Sequence, residues 1–479
     1  MPRDLERLTF RRQFIATPDG WRPSITWPLE RVTDGLVLAR HPDLALARRS
    51  SADSTVLLLG HCVDPSDPLA DLETIVDRLA SAVSFAELEE RASRLSGRWV
   101  LLARILGRSR IYHDACALKP VYFTPAELGP PCVASQPVLL ELAGRTRRNE
   151  QMIAEFESHE NDGAWPPCAV PYDGVSQLLP NHYLSLTSGQ AYRFWPGEAV
   201  EPIDIDSAAR EIVALLGGGI RAVVERGPAF MGLSGGYDSR AMLAAAHDLV
   251  SRIELYNIVT ASTPDHDREV PRKLARRLGE PLHVQQPVRV DPEIQARLLA
   301  NVGGLYYDPV LAIVQTLHAV AGDGVVIEGL CAETLRTKHH RQLSNGLPAH
   351  GGALAAAAGC AGNPIAARGW ERWRETVPET WVDPRDLMYW ETRAGVWGGT
   401  GWTLKETLYE SFSPYCNHRL LEVGLRVPVE HRVAPYRLFR RIIELSDARL
   451  LRWNFNDERH ERLRTLPIPY TLKRVLGWT

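Results

Sequence analysis

Residues 233–240 read LSGGYDSR, in which two glycines, two serines and an aspartate follow the apolar run AFMG. Glycines allow a backbone to turn so that several N–H groups point inward, and a following helix adds the partial positive charge of its N-terminus. Ser234 and Ser239 can donate hydroxyl hydrogen bonds there, and Asp238 can hold a magnesium ion that bridges phosphate oxygens. The segment predicts a phosphate-binding loop. The alternative is a plain strand-to-helix turn in which Asp238 caps the helix.

Helices and strands alternate on both sides of this loop. SAAREIVALLGGGIRAVVER predicts a helix before it, and AMLAAAHDLV, IELYNIVT, REVPRKLARRLG and VVIEGL predict helix, strand, helix and strand after it. This alternation predicts an α/β domain with a parallel sheet and helices on its faces. We interpret the GGG at 217–219 as a weak helical segment and residues 340–385 as surface helices.

The chain before residue 200 has a different pattern. VLLLGHCV, GRWVLLARI, SRIYHDA, PVYFT and PCVAS are short β-like runs between turns, and DLETIVDRLASAV is an amphipathic helix. These runs predict an α+β domain with a largely antiparallel sheet. PGEAVEPIDID is a plausible linker, so the predicted domains are 1–200 and 206–479.

Composition argues against several classes of protein. With 479 residues, 45% hydrophobic residues and 24% charged residues, the chain is typical of a globular protein of two or three domains. A net charge of -3 argues against a nucleic-acid partner, and no run approaches the roughly 20 apolar residues of a membrane span. The seven cysteines are scattered without a CxxC pair. We therefore expect a soluble, cytoplasmic protein with reduced thiols and no structural metal.

LSGGYDS resembles SGGxDS, the pyrophosphate loop of the asparagine synthetase family. LSGRWVLLARILGRSRIYHDACALKPVYF, VASQPVLL and LLPNHYLSL upstream, and VVIEGLCAETL and SPYCNHRLLEVGLRVP downstream, resemble further family motifs in the family's order, over about 55–445. The resemblance implies an Ntn-hydrolase-like antiparallel sandwich, followed by an α/β domain of the PP-loop ATP pyrophosphatase type.

The resemblance also implies a set of site residues. It implies that ATP is bound by Leu233, Ser234, Gly235, Gly236, Asp238, Ser239 and Gly329, and that Mg²⁺ is bound by Asp238 and Glu333. The family's lysine in K-x-x-L-R has no match, because Tyr436 stands at its place. We expect Arg437 or Arg440 to supply the missing cation, beside Glu333 as the third catalytic residue. Lys405 and Lys473 are weaker substitutes.

Two departures from the family narrow the reaction. Glutamine-using members carry a cysteine directly after the initiator methionine, whereas Pro2 follows Met1 here and the first cysteine is Cys62. Such a nucleophile uses its own amine as base, so we expect the glutaminase to be inactive and the amine to come from a substrate or from ammonia. Leu330 stands where asparagine synthetases have an acid and β-lactam synthetases a tyrosine, which argues against both.

Several other polar residues have two possible roles, one structural and one in ligand binding. We interpret Asp265, Asp267 and Glu269 as a helix-capping cluster rather than ligands, and Asp308 likewise as a non-ligand. His339 and His340 form either a polar loop, which we favour, or a basic wall of the acceptor pocket. Residues 417–419 most simply start a helix. Arg240 reaches either a phosphate oxygen or a surface acid.

The expected function is ATP-dependent synthesis of an amide, in which a carboxylate is adenylated and passed to an amine with release of AMP and pyrophosphate. A lasso-peptide type of cyclase and an intermolecular amide ligase stay open, each acting on a small molecule or peptide, with a biosynthetic protein as a candidate partner. An alternative of another class is a regulatory subunit that binds a nucleotide without converting it. It is motivated by three departures from the family, at Glu333, at Leu330 and at the unmatched lysine.

Overall fold

The computed structural model describes residues 5–23, 26–32, 35–51, 53–161, 163–305, 311–340 and 343–455. Four residues named above, Met1, Pro2, Asp308 and Lys473, lie outside these ranges. No helix in the described ranges is both long enough and apolar enough to cross a membrane.

The first half of the chain forms two antiparallel sheets of six strands each. The strands are β1 (Phe14–Thr17), β2 (Leu29–Arg31), β3 (Val37–Arg40), β4 (Leu46–Ser50), β5 (Ser54–Val63), β6 (Ser96–Ile105), β7 (Arg108–His113), β8 (Tyr122–Phe123), β9 (Val133–Ala134), β10 (Ser176–Gln177), β11 (His182–Ser185) and β12 (Gln190–Arg193). The helices are α1 (Leu72–Ala80), α2 (Phe85–Ser93), α3 (Pro137–Leu142) and α4 (Glu150–Glu157). The sheet orders are β10-β8-β9-β1-β3-β2 and β12-β11-β7-β6-β5-β4.

Alternating side chains arrange these elements in layers. Along β5, Leu57 and Leu59 point into the core between the two sheets, whereas Val56 and Leu58 point outward and pack on α1 and α2. The outer face of the other sheet packs on α3 through its own apolar cluster. The predicted antiparallel architecture is therefore confirmed, as two stacked sheets with helices outside them.

The second half forms a five-stranded parallel sheet, as the alternation of elements predicts, with the order β15-β14-β13-β16-β17. Its strands are β13 (Ala229–Gly232), β14 (Ile253–Ile258), β15 (Leu282–Gln285), β16 (Val325–Ile327) and β17 (Glu410–Phe412). Its helices are α5 (Ile205–Arg226), α6 (Tyr237–Ala245), α7 (Asp265–Leu278), α8 (Pro292–Asn301), α9 (Leu311–Ala321), α10 (Gly351–Ala357), α11 (Pro364–Thr376), α12 (Pro384–Met388), α13 (Gly398–Leu408), α14 (His418–Leu425), α15 (Val429–Arg432) and α16 (Arg437–Asp447).

Both faces of the parallel sheet are covered. Met231 on β13 belongs to a core with residues of α5, α6 and α16, and its neighbour Phe230 belongs to a separate core with residues of α8, α9 and α13. A π-helix, Tyr389–Trp397, continues α12 into α13. The segment 340–385 is not a surface region as predicted, because Trp370 and Trp373 are buried in the main core.

The three glycines of α5 lie at close contacts, which corrects their interpretation as a weak helical segment. A Cβ on Gly218 would lie 2.0 Å from the carbonyl oxygen of Pro65 in the first domain. Cβ atoms on Gly217 and Gly219 would lie 2.8 Å from the carbonyl oxygen of Ala245 and 3.3 Å from the ring of Phe412. The helix is continuous through GGG. Glycine is required at these positions because side chains there would push α5 away from its neighbours.

A buried ionic cluster joins the two halves of the chain. Arg98 and Lys119 from the first half both bind the carboxylate of Glu406 on α13, at 2.5 Å and 2.8 Å, and all three side chains are at most 2% exposed. Arg12 and Arg98 also pair with Glu410 on β17. Separating a buried charge from its partner costs several kcal/mol. This cluster therefore holds the antiparallel sheets and the parallel sheet in one relative position.

Candidate functional site

The glycine-rich loop follows the central strand of the parallel sheet. From β13 the chain proceeds to β14 and β15 on one side, and later to β16 and β17 on the other. The loop therefore lies where the strand order reverses, which is the position at which open α/β sheets bind ligands. Leu233 extends the ladder, with its N–H donating to the carbonyl oxygen of Tyr256 at 2.8 Å, and α6 begins after Gly236.

The hydroxyls of the loop connect the strand end to the helix start. The oxygens Oγ of Ser234 and Ser239 lie 3.0 Å apart. The N–H of Ser234 donates to Oγ of Ser239 at 3.2 Å, and the N–H of Gly236 donates to Oγ of Ser234 at 3.1 Å. Gly236 is the cap of α6 and Asp238 lies in its first turn, so the alternative in which Asp238 caps the helix is wrong.

An acid from the next helix reaches this loop. The N–H of Gly235 donates to Oδ1 of Asp267 at 2.9 Å. A Cβ on Gly235 would lie 2.7 Å from the ring of His266 and 2.8 Å from that same carboxylate oxygen, so a larger residue there would have to displace both side chains. Helix α7 begins after Pro264 without a side-chain cap, and the helix-capping interpretation of Asp267 is therefore wrong. Its carboxylate instead occupies an anion position beside the loop.

Asp238 and Glu333 meet at one cation. Glu333 lies in the 3₁₀ turn Ala332–Arg336 after β16. Nη2 of Arg336 lies 2.8 Å from Oδ2 of Asp238 and 3.2 Å from Oε1 of Glu333. The guanidinium is 10% exposed, against 24% and 33% for the two carboxylates. The predicted pair of acids thus converges, with an arginine between them that the sequence interpretation did not include.

Glu333 is held in its ionised form. Its Oε1 also lies 2.9 Å from Nζ of Lys338, and the hydroxyl of Tyr389, at the start of the π-helix, donates to its Oε2. Burial raises the pKa of Glu333, but the charges of Lys338 and Arg336 and the hydrogen bond from Tyr389 outweigh it and lower that pKa to about 2. Glu333 is therefore ionised at neutral pH, with its charge already balanced by Lys338 and Arg336.

Comparisons with known proteins give distant likenesses. No family model and no curated protein sequence matches the chain. Its structure is similar to glutamine phosphoribosylpyrophosphate amidotransferase from B. subtilis complexed with ADP and GMP (11% identity, 69% of this chain and 73% of that chain, TM-score 0.25). It is also similar to the allosteric regulatory enzyme of purine biosynthesis (11%, 65% and 88%, 0.27) and to glutamine-dependent NAD⁺ synthetase from Acinetobacter baumannii in complex with adenosine diphosphate (16%, 49% and 48%, 0.20). TM-scores this low carry no conclusion about activity.

The remaining predicted residues lie at different distances from the loop. A Cβ on Gly329 would lie 3.0 Å from Cβ of Asp238, so this glycine packs directly against the loop helix. Arg440 places its guanidinium over the ring of Phe455, 5.0 Å from the centroid, and that ring stacks on Tyr237 of α6 at 3.7 Å. Arg437 is exposed at the start of α16, and within the described ranges its side chain has no ion pair.

The contacts of Arg240 with the other described residues are to backbone carbonyl oxygens and an aromatic ring. Its guanidinium is fully buried and donates to backbone carbonyl oxygens, at 2.8 Å to Gly235, 2.6 Å to Trp453 and 2.6 Å to Asn454. It also stacks on Phe455 at 3.9 Å. Arg240 therefore fixes the chain around 450–455 against the loop, a structural role that its position in the motif did not indicate.

The secondary candidates belong to structural contacts. Nζ of Lys405 binds both carboxylate oxygens of Glu328 at 2.8 Å. His340 lies 2.9 Å from Oδ1 of Asp386, a buried acid that also binds a buried arginine, whereas His339 packs near Tyr389. Residues 417–419 do start a helix, as predicted, because Oδ1 of the cap Asn417 accepts from the third N–H of α14 at 2.9 Å.

The functional residues that the sequence interpretation missed are basic or aromatic neighbours of its acids. Arg336 and Lys338 follow Glu333 by three and five residues, and that spacing is a usable signal because a helical turn brings i and i+3 together. Tyr389 is 56 residues away from Glu333 along the chain. No local pattern marks it, so its contact with the site depends on tertiary structure alone.

Proposed function

We propose that this protein is an ATP-dependent, AMP-forming amide synthetase, which adenylates a carboxylate and transfers the acyl group to an amine. The observation that carries the proposal is one convergence. The SGGYDS loop lies at the switch point of a parallel sheet, and the carboxylates of Asp238 and Glu333 meet beside it at a single cation. A glycine loop at a helix N-terminus suits a polyphosphate, and paired carboxylates suit its metal.

The loop residues would bind the pyrophosphate part of ATP. The N–H groups of Ser234, Gly235 and Gly236 bond to oxygens of Ser239, Asp267 and Ser234, and phosphate oxygens would replace them. The Asp267 carboxylate is a protein anion already at that position, which supports an anion site. When the nucleotide binds, the phosphate would displace the Asp267 carboxylate, which would then accept a hydrogen bond from another donor.

The two acids fit a Mg²⁺ ion. Their oxygens already share one positively charged atom, Nη2 of Arg336, at 2.8 Å and 3.2 Å, so a cation can lie between them. Bound there, Mg²⁺ would neutralise charge on the pyrophosphate leaving group. Arg336 would then turn from the carboxylates to the phosphates, and it is better placed than Arg437 or Arg440 to supply the cation that the unmatched lysine leaves missing.

The amine would come from a substrate or from ammonia. Burial raises the pKa of Cys62 and Cys132, and it raises the pKa of Cys168 to about 12. Thiols of this kind are not nucleophiles at neutral pH, since the thiolate is the reactive form. The first domain would then serve as a scaffold for the second.

The test is exchange of labelled pyrophosphate into ATP over a panel of carboxylic acids. Wild type should exchange with at least one acid, and Asp238→Asn should lower that exchange by about 100-fold or more, because a metal ligand is lost. Asp248→Asn is the matched control, since this exposed acid pairs with Arg221 just after α6 and should leave exchange unchanged. Equal exchange in Asp238→Asn and wild type would refute the proposal.

A second candidate is a nucleotide-binding regulatory subunit without turnover. The bridge from Arg336 to Asp238 and Glu333 favours it, because a guanidinium already neutralises both proposed metal ligands. This candidate would be favoured if the protein binds ATP in the presence of Mg²⁺ but exchanges no labelled pyrophosphate into ATP with any acid of the panel.

A further inference from the structure

Three cysteines from distant parts of the sequence meet at the domain interface. The sulfur atoms of Cys116, Cys331 and Cys416 all lie within 4.8 Å of one another. Cys116 follows β7 in the first domain, and the other two follow β16 and β17 in the second. All three side chains are at most 1% exposed. Four further cysteines in the chain stand outside this group.

The backbone at one of these cysteines is strained. Cys331 has φ 76° and ψ −19°, the left-handed region that side chains other than glycine disfavour. Such a conformation costs of order 1 kcal/mol or more and persists where its surroundings require it. Here the hydroxyl of Ser413 holds the preceding carbonyl oxygen, of Leu330, at 2.5 Å. A glycine would relieve the strain, so the thiol at this position demands an explanation beyond packing.

A buried carboxylate organises the other two cysteines. Oδ1 of Asp114 accepts the N–H of Cys116 at 3.2 Å and the S–H of Cys416 at 3.1 Å. Its other oxygen, Oδ2, accepts the N–H of Lys119 at 2.8 Å. These bonds fix the loop of residues 114–119 around the acid and place its Oδ1 next to the sulfur of Cys416.

We propose that Cys116, Cys331 and Cys416 supply three of the four ligands of a tetrahedral site for a thiophilic divalent metal ion, Zn²⁺, with the Asp114 carboxylate beside Cys416. Zinc–sulfur bonds of about 2.3 Å place tetrahedral sulfur ligands about 3.8 Å apart. The observed triangle of up to 4.8 Å needs each sulfur to move inward by roughly half an ångström, which side-chain torsions supply. The thiol protons leave to solvent as the metal binds. This proposal runs against the expectation, from the lack of a CxxC pair, that the chain has no structural metal site.

The site would join the two domains next to the reacting groups. Cys331 lies two residues before Glu333, and Cys416 directly follows Tyr415, whose hydroxyl donates to the backbone oxygen of Asp238 at 3.0 Å. A metal ion held by cysteines of both domains would therefore set the positions of the loops that carry the two acids.

The experiment titrates Co²⁺, and then Zn²⁺, into the reduced full-length protein after chelator treatment under anaerobic conditions. We expect one Co²⁺ per chain, thiolate-to-cobalt charge-transfer absorption, d–d bands of tetrahedral intensity, and loss of both signals when Zn²⁺ displaces the cobalt. Cys331→Gly removes one ligand and relieves the backbone strain, so it should fold and lose these bands. Cys62→Ala, at another buried cysteine, should keep them.

Three results would overturn the proposal. The first is a wild-type protein without thiolate-to-cobalt absorption. The second is a Cys331→Gly variant that keeps the full bands with the same stoichiometry. The third is a protein that takes up no metal but whose mass falls by two hydrogens on mild oxidation, because the cluster would then form a disulfide instead.

Discussion

Replacing Arg336 by glutamine tests how Asp238 and Glu333 are held. The substitution removes a guanidinium that lies 2.8 Å and 3.2 Å from the two carboxylates. A hydrogen bond to a charged group contributes about 1.5–3 kcal/mol when buried, and both acids are partly exposed, so each bond here should contribute about 1 kcal/mol. Glu333 keeps Lys338 and Tyr389 as partners. We expect the free energy of unfolding to fall by about 2 kcal/mol in total.

Magnesium should restore part of this loss. Without the guanidinium, the two acids become an oxygen site for a hard cation, and Mg²⁺ at ten times its dissociation constant would stabilise the variant by about 1.4 kcal/mol. Wild type should gain less, because the ion has to displace Arg336. The assay is urea unfolding of both proteins with Mg²⁺ and with chelator, at constant ionic strength.

The matched control is Arg419→Gln. Arg419 also bridges two partly exposed acids, Glu211 at 2.6 Å and Glu422 at 3.2 Å, neither of which belongs to the candidate site. This variant should lose a similar free energy of unfolding without any dependence on Mg²⁺. If Arg419→Gln gains as much from Mg²⁺ as Arg336→Gln, or if neither gains, then the two acids are not a metal site and the proposed role of Mg²⁺ fails.

Three further predictions concern stability, each measured by urea unfolding. Glu406→Gln should cost about 3–5 kcal/mol, because it leaves two buried cations without their shared acid, whereas Glu90→Gln at an exposed pair should cost less than about 1 kcal/mol. Burial lowers the pKa of His418 to about 3, so stability should fall as pH drops below the unfolded pKa of 6.5 towards 3, and His418→Gln should remove about 2 kcal/mol of the loss by pH 5. Gly218→Ala should destabilise by about 1–3 kcal/mol despite the better helix propensity of alanine, because the new Cβ meets Pro65 at 2.0 Å.

Local patterns in the sequence predicted the parallel sheet and the longer antiparallel strands. The runs around β5 and β6 are rich in β-branched and aromatic residues, and helices alternate with strands around β13. The four strands before residue 54 escaped prediction, since they are three to five residues long and β2 and β4 carry charged residues. Short strands of this kind are specified by their neighbours in the sheet rather than by their own composition.

At the site, the sequence predicted the loop and its acids but not their partners. Asp238 and Glu333 belong to motifs, whereas Arg336 contacts both of them only because a 3₁₀ turn folds it back over Glu333. Arg240 lies inside the motif, yet two of its partners, the carbonyl oxygens of Trp453 and Asn454, are more than 200 residues away. The sequence also could not predict that three scattered cysteines converge, since each comes from a different loop.

One loop of the first domain contacts the elements that carry the candidate site. Residues 114–119 surround the Asp114 carboxylate, which accepts N–H groups from Cys116, Leu118 and Lys119. From this loop, the carbonyl oxygen of Ala115 accepts the indole N–H of Trp390 at 2.7 Å. Nζ of Lys119 donates to the carboxylate of Glu406, and Asp114 accepts the S–H of Cys416.

Through those contacts the loop touches the π-helix that begins at Tyr389, helix α13 and the segment after β17. Tyr389 in turn contacts Glu333, and Tyr415 of that segment contacts Asp238. In the proposed synthetase, the first half of the chain would still be needed for activity, because its loop contacts neighbours of the elements that carry both carboxylates. Catalytic geometry is sensitive to displacements of about 1 Å, so loosening this loop would lower activity without touching a reacting group.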